Sequence, residues 1–212
     1  MLQKEISRPS LQRLPIYLRY LKSLHADAPS NISATTLAAA LNMGEVQVRK
    51  DLAAVSSLGK PKIGYMVSKL IAELETYLGY DDVSDAVIIG AGKLGKALLD
   101  YSGFSQYGIN IVAAFDMDDS VVGKTDSNKS IFPLSKFEDF CKRLKIRIGI
   151  ITVPAGCAQS VCDLMIENGI LAIWNFAPVH LSVPPAILVQ NENMASSLAL
   201  LSKHLAEQIH QI

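Results

Sequence analysis

The 212-residue sequence predicts an α/β protein in which a basic winged helix-turn-helix region precedes a doubly wound parallel sheet and a terminal helix. Three observations carry this expectation. Continuous apolar runs alternate with helical patterns between residues 85 and 178, and a glycine loop follows the first run. Short amphipathic helices with an excess of positive charge precede that region. A narrow apolar stripe follows it. We place the boundaries at 1–79, 80–190 and 191–212.

At the front, Leu14, Tyr17, Leu18, Leu21 and Leu24 recur three and four residues apart, one face of a helix over residues 10–25. Asp27-Ala28-Pro29-Ser30-Asn31 reads as a loop. Ser33 is a fitting N-cap for Ala34–Leu41, and Asn42-Met43-Gly44-Glu45 reads as a tight turn. A third helix runs from Val46 to about Leu58. Two short helices joined by a glycine-containing turn form the helix-turn-helix pattern. The third helix would bury Val48, Leu52 and Val55, leaving Gln47, Lys50 and Ala54 opposite, with Arg49 flanking them. Such side chains reach base edges and phosphates, and alanine permits close approach.

An ordinary solvated helix face would carry the same residues, so charge has to decide. Lysine plus arginine equals aspartate plus glutamate over the whole chain, 20 against 20. Residues 1–65 nevertheless hold nine basic residues against Glu5, Asp27, Glu45 and Asp51, which is +5, and the remainder carries −5. A basic front half is the electrostatic footprint of a polyanion partner, because phosphate contacts supply most non-specific affinity for DNA. Gly59-Lys60-Pro61-Lys62-Ile63-Gly64-Tyr65 then suits a β-hairpin wing whose Lys60 and Lys62 touch the DNA backbone. A helix over Met66–Leu78, with Val67, Leu70, Ile71, Leu74 and Leu78 at helical spacing, would link the two domains and end at Gly79.

The second region opens on Ala86-Val87-Ile88-Ile89 and the loop Gly90-Ala91-Gly92-Lys93-Leu94-Gly95. Strand, Gly-x-Gly-x-x-Gly and helix together make the dinucleotide-binding fingerprint of a Rossmann-type domain. Gly90 would allow the tight turn, Gly92 the close approach of a pyrophosphate, and Gly95 close packing of helix on strand. The helix N-terminus would offer N–H groups to phosphate. A second strand, Ile111–Phe115, ends at Asp116, about where such folds place the acid that binds the adenosine ribose. Its charge would repel a 2′-phosphate, which favours NAD(H). Leu134–Leu144 should be a crossover helix with Phe137, Phe140, Cys141 and Leu144 inward. Ile148–Val153 and Leu171–Phe176 should be further strands, with a helix between them burying Ala158, Val161, Cys162 and Met165.

Val153-Pro154 and Asn175-Phe176 then fall at carboxyl ends of strands, where open α/β sheets bind ligands. Phe176 has two readings of equal standing, beside a nicotinamide ring or in the core. The tail carries Leu198, Leu201, Leu205, Ile209 and Ile212, a stripe suited to a partner subunit or to its own domain. Cys141, Cys157 and Cys162 lack metal-ligand spacing and read as buried free thiols of a reducing compartment. With no apolar run of ~20 residues and no signal-peptide pattern, the expected location is cytoplasmic. No metal and no membrane partner are expected.

The order of parts resembles the Rex family of redox-sensing transcriptional repressors. The matching stretches are Arg13–Leu21, Val48-Arg49-Lys50-Asp51-Leu52, Gly64-Tyr65, Gly90–Gly95, Ala113–Asp116, Thr152–Ala155, Asn175–Pro178 and Val183-Pro184. The resemblance implies a homodimer with winged helices and domain-swapped, dimerising C-terminal helices. It would bind a palindromic operator when NADH is low and release it when NADH binds. By the same resemblance Arg49, Lys50 and the wing lysines would contact DNA. Arg13 and Tyr101 would belong to an interaction network that responds to redox state. Asn175 stands where some relatives carry an aspartate that would partner Arg13. Ala53-Ala54-Val55-Ser56 and Pro61-Lys62 also depart from the usual family runs.

Two other functions fit parts of the chain. A small NAD-dependent dehydrogenase would need a substrate domain and a proton-transfer group. The residues after Phe176 read as one connection and one helix, and His180 alone sits near a strand end. A CoA-binding or other nucleotide-binding module would leave Asp116 and the basic front without a role. No enzymatic activity is expected.

Overall fold

The structure is a computed structural model and describes residues 6–25, 28–80 and 84–209. Contacts divide the chain into one unit of Met1–Asp82 with Gln106–Gly108 and another of Val83–Ser105 with Ile109–Ile212.

In the first unit, α1 (Arg8–Ser23) starts at Ser7, whose side chain caps the backbone N–H of Ser10, and Pro9 sits where a missing N–H costs nothing. Ser33 caps α2 (Ala34–Ala40) as expected, accepting from the Thr36 N–H at 2.9 Å. Asn42 turns the chain with a left-handed φ of 52°, and α3 (Glu45–Val55) follows at once. The third helix thus stops short of Leu58. α4 (Val67–Leu78) ends at Gly79 in the left-handed conformation. Leu14, Tyr17, Leu21, Leu37, Val48, Leu52, Leu70 and Leu74 are buried in one core. Burying each such leucine contributes roughly 1.5–3 kcal/mol.

The wing is smaller than a full hairpin. Lys60 and Gly64 exchange both backbone hydrogen bonds, at 3.0 and 2.9 Å, and Lys62 takes a left-handed φ of 66° between them. Gly59 lies against the Tyr65 ring so closely that a Cβ there would sit 2.6 Å from Cζ. Asn31 does not belong to a loop. It forms β1 (Asn31–Ile32), which pairs antiparallel with β2 (Tyr65–Met66). Asp27, at the other end of the expected loop, lies outside the described residues.

The second unit is a seven-stranded sheet built on β3 (Ser84–Ile89) and β4 (Ile109–Asp116). It also contains β5 (Gly123–Lys124), β6 (Ser130–Pro133), β7 (Ile148–Ile151), β8 (Ala172–Asn175) and β9 (Leu188–Asn191). The order is β5-β6-β4-β3-β7-β8-β9, parallel throughout except for the β5–β6 pair. Without the small edge strand β5 this is the strand order of a Rossmann sheet, whose winding reverses between β3 and β7. α5 (Lys93–Asp100) covers one face, and α6 (Phe137–Leu144) with α7 (Ala155–Glu167) covers the other.

Three expectations need correction. Leu144 is 49% exposed, because Lys145 ends α6 in a left-handed turn and Ile146 enters the core instead. Cys157 is exposed, whereas Cys141 and Cys162 are buried. Burial pushes the Cys141 thiol up to about 11. The chain after Phe176 is more than a connection and a helix, since it returns as β9 to pair in parallel with β8. α8 (Met194–Ile209) ends the described chain.

Candidate functional site

The glycine loop fits its strands closely. The Gly90 N–H donates to the Phe115 carbonyl at 2.8 Å, and the Thr152 hydroxyl donates to the Gly90 carbonyl at 2.6 Å. Gly90 has φ +103°, open only to glycine at low cost. A Cβ on Gly95 would overlap the Gly90 carbonyl oxygen and come within 2.9 Å of the Thr152 hydroxyl. A Cβ on Gly92 would meet nothing within 4 Å. Gly95 therefore serves internal packing, whereas the space beside Gly92 is open to a ligand.

That space belongs to a cleft of about 290 Å³ at the carboxyl ends of β3, β4 and β7. This is near the lower end of small-molecule sites, roughly 300–1,000 Å³. It brings together Gly90, Gly92, Asp116, Val153 and Pro154, all expected there, with Thr152 and Cys157, which were not. The strand-end rule that selected Val153 would also have selected Thr152. The Asp116 carboxylate accepts from the Ala91 N–H at 2.6 Å and the Asp118 N–H at 3.0 Å. The acid is thus pinned to the glycine loop and keeps lone pairs for a further donor.

Other expected residues lie apart from the cleft. Asn175 is fully buried; its amide nitrogen donates to Ala177 and Val179 carbonyls and to Asn191 Oδ1, and its oxygen accepts from the Ala177 N–H. Phe176 is partly buried against Trp174, with ring centroids 4.5 Å apart. Neither lines the cleft. Tyr101 is 59% exposed and edge-on to Phe104.

On the first unit, α3 stands between two grooves. Arg49 lines one of about 430 Å³ with the wing residues Lys60, Pro61 and Lys62. Gln47 and Lys50 line the other, of about 520 Å³, with the start of α1. All five residues expected at DNA are exposed. Arg49 is also paired with Glu45 one turn earlier.

In the sequence Asp51 is an acidic charge and a member of a family-matching stretch, with no partner assigned, yet its side chain is 1% exposed. Arg13 donates to it twice, from Nε at 2.8 Å and from Nη2 at 3.1 Å, and the Tyr17 hydroxyl donates at 2.8 Å. Gln47 Nε2 adds a fourth bond at 2.9 Å. Burial works to raise the Asp51 carboxyl, but hydrogen bonds from Arg13, Tyr17, Gln47 and Ser10 together hold it below the usual range. The Tyr17 hydroxyl, buried beside that carboxylate, is pushed up to about 12.

A winged helix with exposed cations, followed by a dinucleotide-type cleft on a Rossmann sheet, defines a nucleotide-responsive transcription regulator. Known proteins agree. One family model, described as "CoA binding domain", matches residues 81–179, and another, "Putative DNA-binding protein N-terminus", matches residues 5–53. The redox-sensing transcriptional repressor Rex of Treponema denticola is 41% identical, covering 94% of this chain and 95% of its own. The Rex repressor of Bacteroides fragilis is 39% identical, covering 95% and 91%. A crystal structure of RSP with β-NAD+ and operator DNA matches with a TM-score of 0.89 at 34% identity, covering 97% of this chain and 94% of that one. RSP with β-NADH gives 0.84, covering 97% and 96%. The chain belongs to the Rex family of redox-sensing transcriptional repressors. The resemblance read from the motifs is borne out, and a dehydrogenase is not favoured. Among the described residues no helix is long and apolar enough to cross a membrane, and no cluster could hold a metal.

Proposed function

We propose that this protein represses transcription by binding a palindromic operator as a homodimer, and leaves it when NADH binds. One observation carries the reading: a single chain joins the winged helix to the Gly92–Asp116 cleft, and its relative RSP is known with β-NAD+ and operator DNA and with β-NADH. Gly90, Ala91, Gly92, Lys93, Leu94 and Gly95 cradle the pyrophosphate at the start of α5, and Asp116 takes the ribose. Val153 and Pro154 wall the cleft, and Asn175 and Phe176, at the end of β8, meet the cofactor beyond it. Gln47, Arg49, Lys50, Lys60 and Lys62 contact DNA, and Arg13 and Tyr101 take part in coupling the two events. Residues 1–79 form the DNA-binding domain, 80–190 the cofactor domain and 191–212 a swapped dimerising helix. The protein works in the cytoplasm.

The reduced nicotinamide acts here as a signal, and the chain's task is to bind one cofactor state better in one dimer geometry. Only such differential affinity can shift the DNA equilibrium. Fluorescence anisotropy on a labelled palindromic operator tests this. NADH should lower operator affinity more strongly than NAD+ does. Turnover of NADH with a small carbonyl substrate, without DNA binding, would overturn it.

A further inference from the structure

A buried carboxylate on a helix that faces DNA needs a reason. Taking charges out of water is costly, and apolar replacements of buried ion pairs are often neutral or stabilising. Asp51 therefore contributes little as mere glue. What its arrangement does supply is direction. Arg13 and Tyr17, both on α1, hold the carboxylate from one side. Ser10, also on α1, adds to that side, and the partner from α3 is Gln47, one helical turn earlier and exposed on the surface.

Ionised Asp51 can only accept hydrogen bonds, so the Gln47 amide must turn its nitrogen toward it. A free glutamine flips between two orientations that present its oxygen and nitrogen in opposite order. Here one N–H is used on Asp51, which leaves one N–H and the carbonyl oxygen for an outside partner. A donor beside an acceptor complements the major-groove edge of adenine, which offers N7 to accept and N6–H to donate. Guanine offers two acceptors, N7 and O6, and would set one of them against the Gln47 oxygen.

We propose that Asp51 is a positioning residue that fixes the Gln47 amide as a reader of adenine in the operator. The inference rests on the operator-binding role proposed above. Replacing the carboxylate by an amide should then reverse the preference. In Asp51→Asn, Arg13 Nε and the Tyr17 hydroxyl retain the oxygen at the Oδ2 position, and the new amide nitrogen takes the Oδ1 position, where it gives up the Arg13 Nη2 contact and faces Gln47. Gln47 turns its own oxygen inward and its two N–H groups outward, toward the acceptors of guanine.

The test is selection of bound duplexes from a randomised pool by the wild-type protein, Gln47→Ala and Asp51→Asn. Wild type should enrich an A·T pair at one symmetric pair of positions, preferred about tenfold or more, the size of a good bidentate contact. Gln47→Ala should leave that pair degenerate while the other positions stay selected. Asp51→Asn should lose the adenine preference and gain guanine at the same position. Replacing that adenine by 7-deazaadenine removes N7 and should weaken the wild-type protein several-fold but leave Gln47→Ala unaffected. This arm does not depend on Asp51→Asn folding. Unchanged selection by Gln47→Ala, or indifference of wild type to 7-deazaadenine, would overturn the inference and spare operator binding. If wild type binds no duplex at all, the repressor reading itself fails.

Discussion

Arg13 and Asp51 show what a single buried charge demands of its surroundings. Removing Arg13 leaves Asp51 buried with an unbalanced charge, a change that costs about 3–5 kcal/mol in fully buried pairs. The Arg13 side chain is still 23% exposed, so water can compensate in part. Arg13→Ala should therefore lower stability by about 2 kcal/mol, below that range, read from the urea midpoint. The pH dependence has a definite sign. The folded carboxyl titrates below its unfolded value, so its stabilisation is present above the unfolded pKa and is lost as pH falls through the folded one. The urea midpoint should fall on acidification through the carboxylate range, and Asp51→Asn should flatten that slope. None of this was visible in the sequence. Asp51 looked like one of four acids offsetting nine bases, because its main partner lies 38 positions away.

At the scale of elements, the two glycines of one loop separate folding from binding. Gly95→Ala would drive a Cβ into the Gly90 carbonyl, so it should unfold the second unit or lower its melting temperature by many degrees. Gly92→Ala meets no protein atom. It should melt like the wild type, yet lose NADH affinity about tenfold or more if a phosphate approaches there. Calorimetric melting with an NADH titration distinguishes the two. The motif spacing predicted the packing role of Gly95, and the long apolar runs predicted β3, β4, β7 and β8. β6 and β9 escaped notice because each carries only two adjacent apolar residues, Ile131-Phe132 and Leu188-Val189, too short a run to read as a strand, and β6 ends on a proline. The Leu144 error has a similar origin. Periodicity cannot tell where a helix stops, and a left-handed Lys145 exchanged Leu144 for Ile146 in the core.

For the whole molecule, the unfinished surface is α8. Met194, Leu198, Leu201, Leu205 and Ile209 are between 56% and 68% exposed, and every described side chain of the helix is exposed. Ile212, the last member of the expected stripe, lies outside the described residues. So large an apolar face marks an interaction surface, and a second copy of this chain is the partner that a palindromic operator requires. Leu201→Asp should yield a monomer in analytical ultracentrifugation. Operator affinity should then fall by orders of magnitude, because two half-sites no longer bind as one. A dimer with unchanged operator affinity would count against α8 as the interface.

The sequence by itself determined the class: apolar periodicity, glycine spacing and segregated charge are local in the chain and need no coordinates. It also marked out the glycine loop, Asp116 at the end of β4 and the exposed cations of α3. Only the tertiary structure decided which polar groups are used internally. It tied Asp51 to Arg13, pinned Asp116 to Ala91, buried the Asn175 amide and exposed Cys157. Each of these depends on the distance between residues far apart in the chain, and hydrogen bonds act only over about 3 Å. Periodicity reports which face of an element is dry. It does not report which donor waits there.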